Sequence, residues 1–300
     1  MSDTFFTASP HWTWFIIPYF FVGGIAGGAY FLAALLQWFG RPEDRPVIRT
    51  GYSLAFWGAI ISGALLTFDL GKPFRFWHML FQSENFPNLM FKSWSPISFG
   101  AWAILLFGVC AAVSWYGSRA IDGPPKGGAL LAKLVAAVGG LFGFFVAGYT
   151  GVLLSATNRP IWADSPWLGA LFLVSGASTG AAALTVFAPE ASDRTIRWLK
   201  SFDAQALVVE LVVLIVFLAS LGSVARVWLG FWGLVLLVGV VWTGILWPLR
   251  LHFKPAIAGG GFRNPALMVL LGGFLLRLVV LLASNSIAVH RVASGGGGGG

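Results

Sequence analysis

The sequence predicts an all-α membrane protein with eight transmembrane helices. Of its residues, 57% are hydrophobic and only 10% are charged, and the mean hydropathy is +0.81. A soluble domain carries about 25% charged residues, and a transmembrane helix needs about 20 consecutive apolar residues. Runs of that length are Trp14–Phe39, Thr50–Leu70, Pro96–Tyr116, Leu130–Ser155, Trp167–Phe187, Ala204–Gly222, Trp228–Leu249 and Pro265–Ser284.

The segments between these runs contain proline, glycine and charged residues, which is typical of loops. No basic stretch precedes the first run, so we expect helix one to be retained rather than cleaved as a signal peptide. We divide the protein into residues 1–190, with helices one to five, and residues 191–294, with helices six to eight. Residues 295–300 are glycine only and are expected to lie outside the fold.

Small residues four positions apart occur on helices one and five. Helix one contains the overlapping pairs Gly23/Gly27 and Gly24/Gly28, and helix five contains Gly176/Gly180. Such patterns let helix backbones approach closely and are common in membrane bundles. Their presence on the first helix of each half suggests two similar four-helix bundles.

The distribution of Lys and Arg predicts the orientation in the membrane. Twelve of these residues fall on the side of the loops after helices one, three, five and seven, and six fall on the other side. By the positive-inside rule the first side is cytoplasmic, so both termini are predicted to lie outside. The first set is Arg41, Arg45, Arg49, Arg119, Lys126, Lys133, Arg194, Arg197, Lys200, Arg250, Lys254 and Arg263; the second is Lys72, Arg75, Lys92, Arg159, Arg226 and Arg291.

The composition argues against several redox centres and partners. Cys110 is the only cysteine, so an iron–sulfur cluster with cysteine ligands is excluded. The four histidines are His11, His78, His252 and His290, and all fall near span ends or outside the spans, where they cannot form a facing pair of haem ligands. We therefore expect no haem and no metal bound by this protein. The net charge of +8 is spread over membrane loops, so we expect no nucleic acid partner.

Three ionisable residues are predicted to lie within or at the edge of the membrane: Asp69, Glu210 and Arg277. A charge at the bilayer centre costs roughly 3 kcal/mol, so such residues tend to pair or to have a function. A Glu210–Arg277 pair between helices six and eight is one interpretation. The alternative is a proton path that begins at Glu210 and includes Arg277.

Polar residues gather at the predicted outer ends of helices two and four. Asp69, Lys72, Arg75 and His78 lie in ISGALLTFDLGKPFRFWHMLF, and Tyr149 lies in AGYTGVLLSATNRPIW. A tyrosine hydroxyl and a carboxylate in an apolar slot suit a quinone, which has ring oxygens and a lipid tail. In the alternative interpretation these residues only contact the membrane interface: Lys72 and Arg75 are interfacial anchors, and Tyr149 belongs to an aromatic belt.

The belt interpretation of Tyr149 is disfavoured by its depth. Trp162 and Trp167 follow on the next loop and are expected to mark the membrane surface, which places Tyr149 about two turns below it. Tyr149 and Asp69 are therefore our predicted reactive residues.

Five segments together resemble the NrfD/PsrC family, the integral membrane subunits of complexes of the polysulfide reductase type. They are FFVGGIAGGAYFLAALL, FDLGKPFRFW, SWSPISFGAW, YTGVLLSATNRPIW and LFLVSGASTGAAAL, and they occur in the family's order over roughly the first 190 residues. The resemblance implies an anchor that reacts with quinone or quinol, menaquinone or ubiquinone, in the cytoplasmic membrane of a bacterium. It also implies a ferredoxin-like iron–sulfur partner on the outer face, often joined to a molybdopterin subunit.

The resemblance also assigns residues. The family's pocket tyrosine corresponds to Tyr149 and its helix-two aspartate to Asp69. Where a member of the polysulfide reductase type has a histidine, this sequence has Tyr19, and Ile16 stands where such a member has an asparagine. These departures leave the choice of quinone open. We include Tyr19 and His78 in the predicted quinone site.

Lys72, Arg75 and Arg159 lie on the predicted outer side and are expected to help dock the iron–sulfur partner. Two other functions fit part of the pattern. A secondary transporter would also have glycine-rich helices and buried charges, but its site would lie near the midplane. A structural anchor without a working quinone site is the second alternative.

Overall fold

The computed structural model describes residues 14–70, 72–82, 88–92, 94–119, 128–253 and 264–295, with side chains described up to residue 284 except at 128 and 223. Several residues that the sequence predictions mention lie outside this part of the protein. They are His11 near the N-terminus, Gly71, the basic residues Lys126, Lys254 and Arg263, and residues 296–300 at the C-terminus. The side chains of His290 and Arg291 also lie outside it.

Eight helices in the described residues are long and apolar enough to cross a membrane, which confirms the predicted fold class. The molecule is therefore a multi-pass membrane protein. The helices are α1 (Ile16–Phe39), α2 (Arg45–Asp69), α3 (Pro96–Ser118), α4 (Gly128–Ser155), α5 (Leu168–Phe187), α6 (Asp193–Ser220), α7 (Phe231–Phe253) and α8 (Pro265–Gly295). Short 3-10 helices occupy Pro42–Asp44, Pro73–Met79 and Gly222–Leu229.

Two helices begin more than one turn earlier than the apolar runs predict. Helix α2 begins at Arg45 rather than Thr50, and α6 begins at Asp193 rather than Ala204. At α6 the reason is a helix cap: the Ser192 hydroxyl accepts a hydrogen bond from the Thr195 backbone N–H. Charged residues in the added turns give a polar helical end that hydropathy alone does not reveal.

The first four helices form a closed ring of contacts. Helix α1 packs against α2 and α4, and α3 packs against the same two helices. In the second half α5 packs against α6 and α8, and α7 packs against α6 and α8. Because α1 also packs along α5, the two groups share a continuous interface, and a division into two bundles stays a prediction.

The Gly24/Gly28 pair of α1 meets the Gly176/Gly180 pair of α5 at that interface, whereas Gly27 packs against Gly143 of α4. A β-carbon at Gly28 would overlap the carbonyl group of Gly176, and one at Gly180 would lie 2.6 Å from the backbone nitrogen of Ala29. Any side chain at these positions would push the two backbones apart. The small residues therefore join the two halves, and α1 and α5 are the most buried spans.

The loop after α4 folds back onto the helices. Trp162 is fully buried, and its Nε1–H donates to the Val280 carbonyl oxygen on α8 at 2.9 Å. Ile161 has a φ of 72°, a strained value for a β-branched residue, and its N–H donates to Asp164 at 2.8 Å. Trp162 therefore packs inside the protein, whereas Trp167 is exposed, and the depth of the two rings in the membrane stays a prediction.

Candidate functional site

A cavity of about 630 Å³ lies among the first four helices. Its walls come from α1, α2, α3 and α4, and the 3-10 helix Pro73–Met79 with the following Leu80 closes one end. The polar side chains in the wall are Tyr19, Thr67, Asp69 and Tyr149; the other lining residues are apolar or glycine. Lining residues such as Leu105 and Val109 are also exposed on the outside, so the cavity opens laterally towards the membrane.

The Tyr149 side chain is held in place by α3. Its hydroxyl group donates to the Pro96 carbonyl oxygen at 2.5 Å, and its ring stacks on Phe145 with the centroids 5.3 Å apart. Gly100 makes room for it, since a β-carbon there would overlap the Tyr149 hydroxyl. The hydroxyl proton is therefore directed at the protein. In this arrangement the Tyr149 oxygen can still accept a hydrogen bond from a ligand.

Tyr19 has the opposite arrangement. It is buried on α1 and lines the same cavity as Tyr149. Its hydroxyl makes no hydrogen bond to any of the residues that the structure describes. A buried hydroxyl group without a protein acceptor suits a ligand that supplies one. Tyr19 is thus the better placed donor of the two tyrosines.

Asp69 is the last residue of α2, is half-buried and lines the same cavity. The predicted residues Tyr19, Asp69 and Tyr149 are therefore brought together. His78 is not: it lies on the 3-10 helix, packs edge-on against Trp77 at 3.8 Å between centroids, and is absent from the lining. The residues of that segment that reach the cavity are Phe76, Met79 and Leu80.

The three predicted docking cations occupy different environments. Lys72 and Arg75 are exposed beside the 3-10 helix that closes the cavity. Arg159 is only 5% exposed, and its guanidinium group lies 5.2 Å from the centre of the Trp162 ring. Burial lowers the pKa of Arg159 from its ordinary value. The folded-back loop thus removes Arg159 from the surface, which corrects its assignment to partner docking.

A second polar cluster lies in the other half of the protein. The Arg277 guanidinium is fully buried and donates to the Phe20 carbonyl oxygen at 3.0 Å, the Gly273 carbonyl oxygen at 2.7 Å and the Ser175 hydroxyl at 3.1 Å. Glu210 is also buried and lies near both Ser175 and Arg277. Glu210 and Arg277 make no ion pair within 4.0 Å, although their opposite charges are close enough to interact. The predicted pairing between α6 and α8 is therefore not a direct salt bridge among the described residues, and a longer-range charge interaction takes its place.

A buried carboxylate nearer the start of α6, Asp203, was not predicted from the sequence. Asp203 accepts a hydrogen bond from the Ser178 hydroxyl at 2.7 Å and lies 3.0 Å from the Nε2 atom of His252 on α7. Asp203 is seven residues before Glu210, which is two helical turns on the same face. The seven-residue spacing of these two acidic residues could have indicated the buried carboxylate from the sequence. No pattern in the sequence indicated that Gly100 and the Pro96 carbonyl oxygen contact Tyr149.

The fold and cavity define a multi-pass helical membrane protein with a ligand-sized apolar cavity among its first four spans. The sequence matches the family described as "Polysulphide reductase, NrfD" over residues 3–288. The protein therefore belongs to the NrfD family.

Three other proteins are similar to this one in sequence. The sequence is 28% identical to the protein NrfD homolog of Haemophilus influenzae over 271 residues, 82% of this protein and 84% of that one. It is 28% identical to the C subunit of polysulfide reductase from Wolinella succinogenes over 301 residues, 89% of this protein and 92% of that one. It is 32% identical to protein NrfD of Escherichia coli over 197 residues, 60% of each protein.

Proposed function

We propose that this protein is the membrane anchor and the quinone-reactive subunit of an oxidoreductase complex. Its electrons would be exchanged with an iron–sulfur subunit on the outer face, which in turn would serve a catalytic subunit such as a molybdopterin enzyme. The observation that carries this proposal is the cavity that gathers Tyr19, Asp69 and Tyr149. The similarity to the polysulfide reductase C subunit supports it, since that name describes one component of a redox complex.

The cavity fits a quinone in size and polarity. Pockets for small ligands commonly measure about 300–1,000 Å³ and combine apolar walls with a few polar groups. The cavity's volume of about 630 Å³ and its four polar side chains match that description. The lateral opening beside Leu105 and Val109 would let an isoprenoid tail extend into the bilayer. Menaquinone and ubiquinone both satisfy these requirements.

A quinone supplies two-electron, two-proton chemistry at its ring oxygens, and the protein has to position and exchange the protons. Tyr19 can donate a hydrogen bond to one ring oxygen, because no described residue accepts its hydroxyl proton. The Tyr149 oxygen can accept a hydrogen bond from a proton-bearing oxygen of the ligand while its own O–H group donates to the Pro96 carbonyl oxygen. Asp69, at the end of α2, can exchange protons with the outer aqueous phase.

Partner docking would use the surface next to the cavity. Lys72 and Arg75 are exposed there, on the 3-10 helix segment whose Phe76 lines the cavity. Exposed rim charges act mainly on association rate and salt dependence. An acidic or polar face of the iron–sulfur subunit placed on this surface would also bring its cluster close to the proposed ring site.

Proton movement across the membrane would need a second set of groups. Arg277 contacts the backbone of Phe20, the neighbour of Tyr19, and Ser175 links it to Glu210. Asp203 and His252 continue this series of buried polar groups along α6. We include Glu210 and Arg277, with these two residues, in a proposed proton path. A purely structural role for the cluster is the alternative, as is a secondary transporter that uses it for substrate.

The test of the proposed function is photolabelling of the purified complex with an azido derivative of menaquinone. We expect labelled peptides from the cavity wall, in particular residues 97–105 of α3, and we expect unlabelled menaquinone to suppress the labelling. Labelling spread over lipid-facing helices and unaffected by competitor would contradict the proposal. A transporter or an anchor without a quinone site would give that second result.

A further inference from the structure

A second groove, of about 780 Å³, lies on the outside of the helix bundle and is unrelated to the cavity of the proposed quinone site. Helix α2 forms one wall, α5 and α8 contribute to the other, and Phe21, Val22 and Ile25 of α1 lie between them. Arg49 near the start of α2 and Arg119 just after α3 line the groove. The groove is therefore apolar along most of its length and strongly basic at one end.

The two arginines are held in place but keep hydrogen-bond donors available. The Nε–H of Arg49 donates to the Ser118 carbonyl oxygen at 2.9 Å, and the Arg119 guanidinium lies 4.4 Å from the centre of the Trp115 ring. Among the described residues, no acceptor takes the remaining N–H groups of either side chain. Guanidinium groups bind phosphate well because their N–H donors match its geometry.

No carboxylate lines the groove, within the part of the protein that the structure describes, to neutralise this charge. The acidic residues nearest to Arg49 in sequence already have partners: Glu43 pairs with Arg194 at 2.7 Å, and Asp44 accepts from the backbone N–H of Arg41 at 2.7 Å and from the Thr195 hydroxyl. Asp122, the acidic residue nearest to Arg119, lies outside the described residues. Among the described residues no carboxylate neutralises Arg49 and Arg119, so their charge is available to an external anion.

The apolar part of the groove has the dimensions of a lipid tail. From Arg49 to Ile61 the helix rises about 18 Å, at about 1.5 Å per residue. One leaflet contributes about 15 Å of hydrocarbon to a bilayer. The wall side chains Trp57, Ile61 and Phe187 are exposed, so a lipid tail could lie against them from the membrane.

We propose that this groove binds an acidic phospholipid of the leaflet that faces the N-terminal end of α2. Its phosphate would contact Arg49 and Arg119, and its acyl tails would lie along Trp57, Ile61 and Phe187. Basic pockets between transmembrane helices are suited to anionic head groups. A zwitterionic lipid fits less well, because its ammonium group would face two guanidinium groups and no carboxylate. This site does not depend on the proposed function.

The experiment is native mass spectrometry of the detergent-purified protein after delipidation and addition of either phosphatidylglycerol or phosphatidylcholine. We expect wild type to retain phosphatidylglycerol, and the double variant Arg49→Gln/Arg119→Gln to bind it about tenfold more weakly. The matched control is Arg45→Gln/Arg250→Gln. Both of its arginines are exposed and absent from the groove lining, and Arg250, like Arg119, lies over a tryptophan ring. The control should bind as wild type does.

A measurement on wild type alone protects the test against a variant that does not fold. Phosphatidylglycerol should raise the thermal unfolding temperature more than phosphatidylcholine or inorganic phosphate does. Equal binding of both lipids by wild type would overturn the proposal. So would unchanged phosphatidylglycerol binding in a folded Arg49→Gln/Arg119→Gln variant, or an equal loss in the control.

Discussion

Tyr19 and Tyr149 line one cavity with opposite hydrogen-bonding arrangements. The Tyr149 hydroxyl donates a hydrogen bond to the Pro96 carbonyl oxygen at 2.5 Å, whereas the Tyr19 hydroxyl has no acceptor among the residues that the structure describes. One tyrosine is thus placed to accept from a ligand and the other to donate to it. A quinone oxygen accepts hydrogen bonds, and the hydroxyl group that it becomes on reduction can also donate one. The expected effects of variants in the cavity follow from this difference between the two tyrosines.

Gly100 should be essential to the position of Tyr149. We expect Gly100→Ala to displace the tyrosine ring, to weaken binding of a menaquinone analogue and to destabilise the protein by about 1–3 kcal/mol, since overpacking forces neighbours to move. Gly117→Ala on the same helix is the control, because nothing lies within 4 Å of its β-carbon position. Analogue titration and thermal unfolding measure both effects. Equal analogue affinity and equal thermal stability in the two variants would contradict the proposed role of Gly100.

Asp69 should matter for turnover more than for affinity. We expect Asp69→Asn to slow quinol-linked electron transfer in the assembled complex by about 100-fold, the usual scale for a lost acid–base group, with the analogue Kd unchanged. Asp193→Asn, at the start of α6 and exposed, should be without effect. Wild-type turnover in Asp69→Asn would remove this residue from the mechanism.

Substitution of Glu210 should reduce proton movement without stopping electron transfer. In proteoliposomes containing the assembled complex, Glu210→Gln should reduce proton translocation per electron about tenfold or more, while quinol-linked electron transfer in detergent continues. Glu190→Gln is exposed and serves as the control. If translocation persists in a folded Glu210→Gln complex, or if wild type moves no protons, the cluster of Glu210, Ser175 and Arg277 is structural.

Lys72 and Arg75 should affect assembly through salt-dependent association. We expect Lys72→Glu/Arg75→Glu to slow binding of the iron–sulfur subunit at low salt, with less effect at high salt. Arg226→Glu is the control, since Arg226 is exposed on the same predicted side but belongs to the second half of the protein. Surface plasmon resonance on the purified subunits gives the rates. Unchanged association in the double variant would make these residues membrane anchors only.

The predicted orientation can be tested with single cysteines. In a Cys110→Ser background, Arg45→Cys and Pro166→Cys both place an exposed thiol in a loop or at a helix end. A membrane-impermeant maleimide added to intact spheroplasts should label position 166 and leave position 45 protected. The reverse result would invert the topology and place the cavity mouth on the cytoplasmic side.

The sequence predicted most of the helices because apolar length is a strong signal in membrane proteins. It also predicted that Asp69 and Tyr149 come together, since both lie towards the same ends of their helices, whereas Tyr19 was included through the resemblance to the NrfD/PsrC family. It failed where side chains depend on loop folding: Arg159 was assigned to the surface, yet the turn at Ile161 buries it beside Trp162. It also missed the contact between Asp203 and His252, because 49 residues separate them and neither lies in a recognisable motif.

The most direct measurement of the central claim is the affinity of the purified subunit for a menaquinone analogue in tyrosine variants. Tyr19→Phe should weaken binding about fivefold, the effect of one buried hydrogen bond of about 1 kcal/mol. Tyr149→Phe should weaken it to a similar degree and also lower thermal stability, because the bond to Pro96 is lost. Tyr116→Phe, exposed at the far end of α3, is the control and should bind as wild type does. Wild-type affinity in both cavity variants, with both folded, would contradict a quinone site in this cavity.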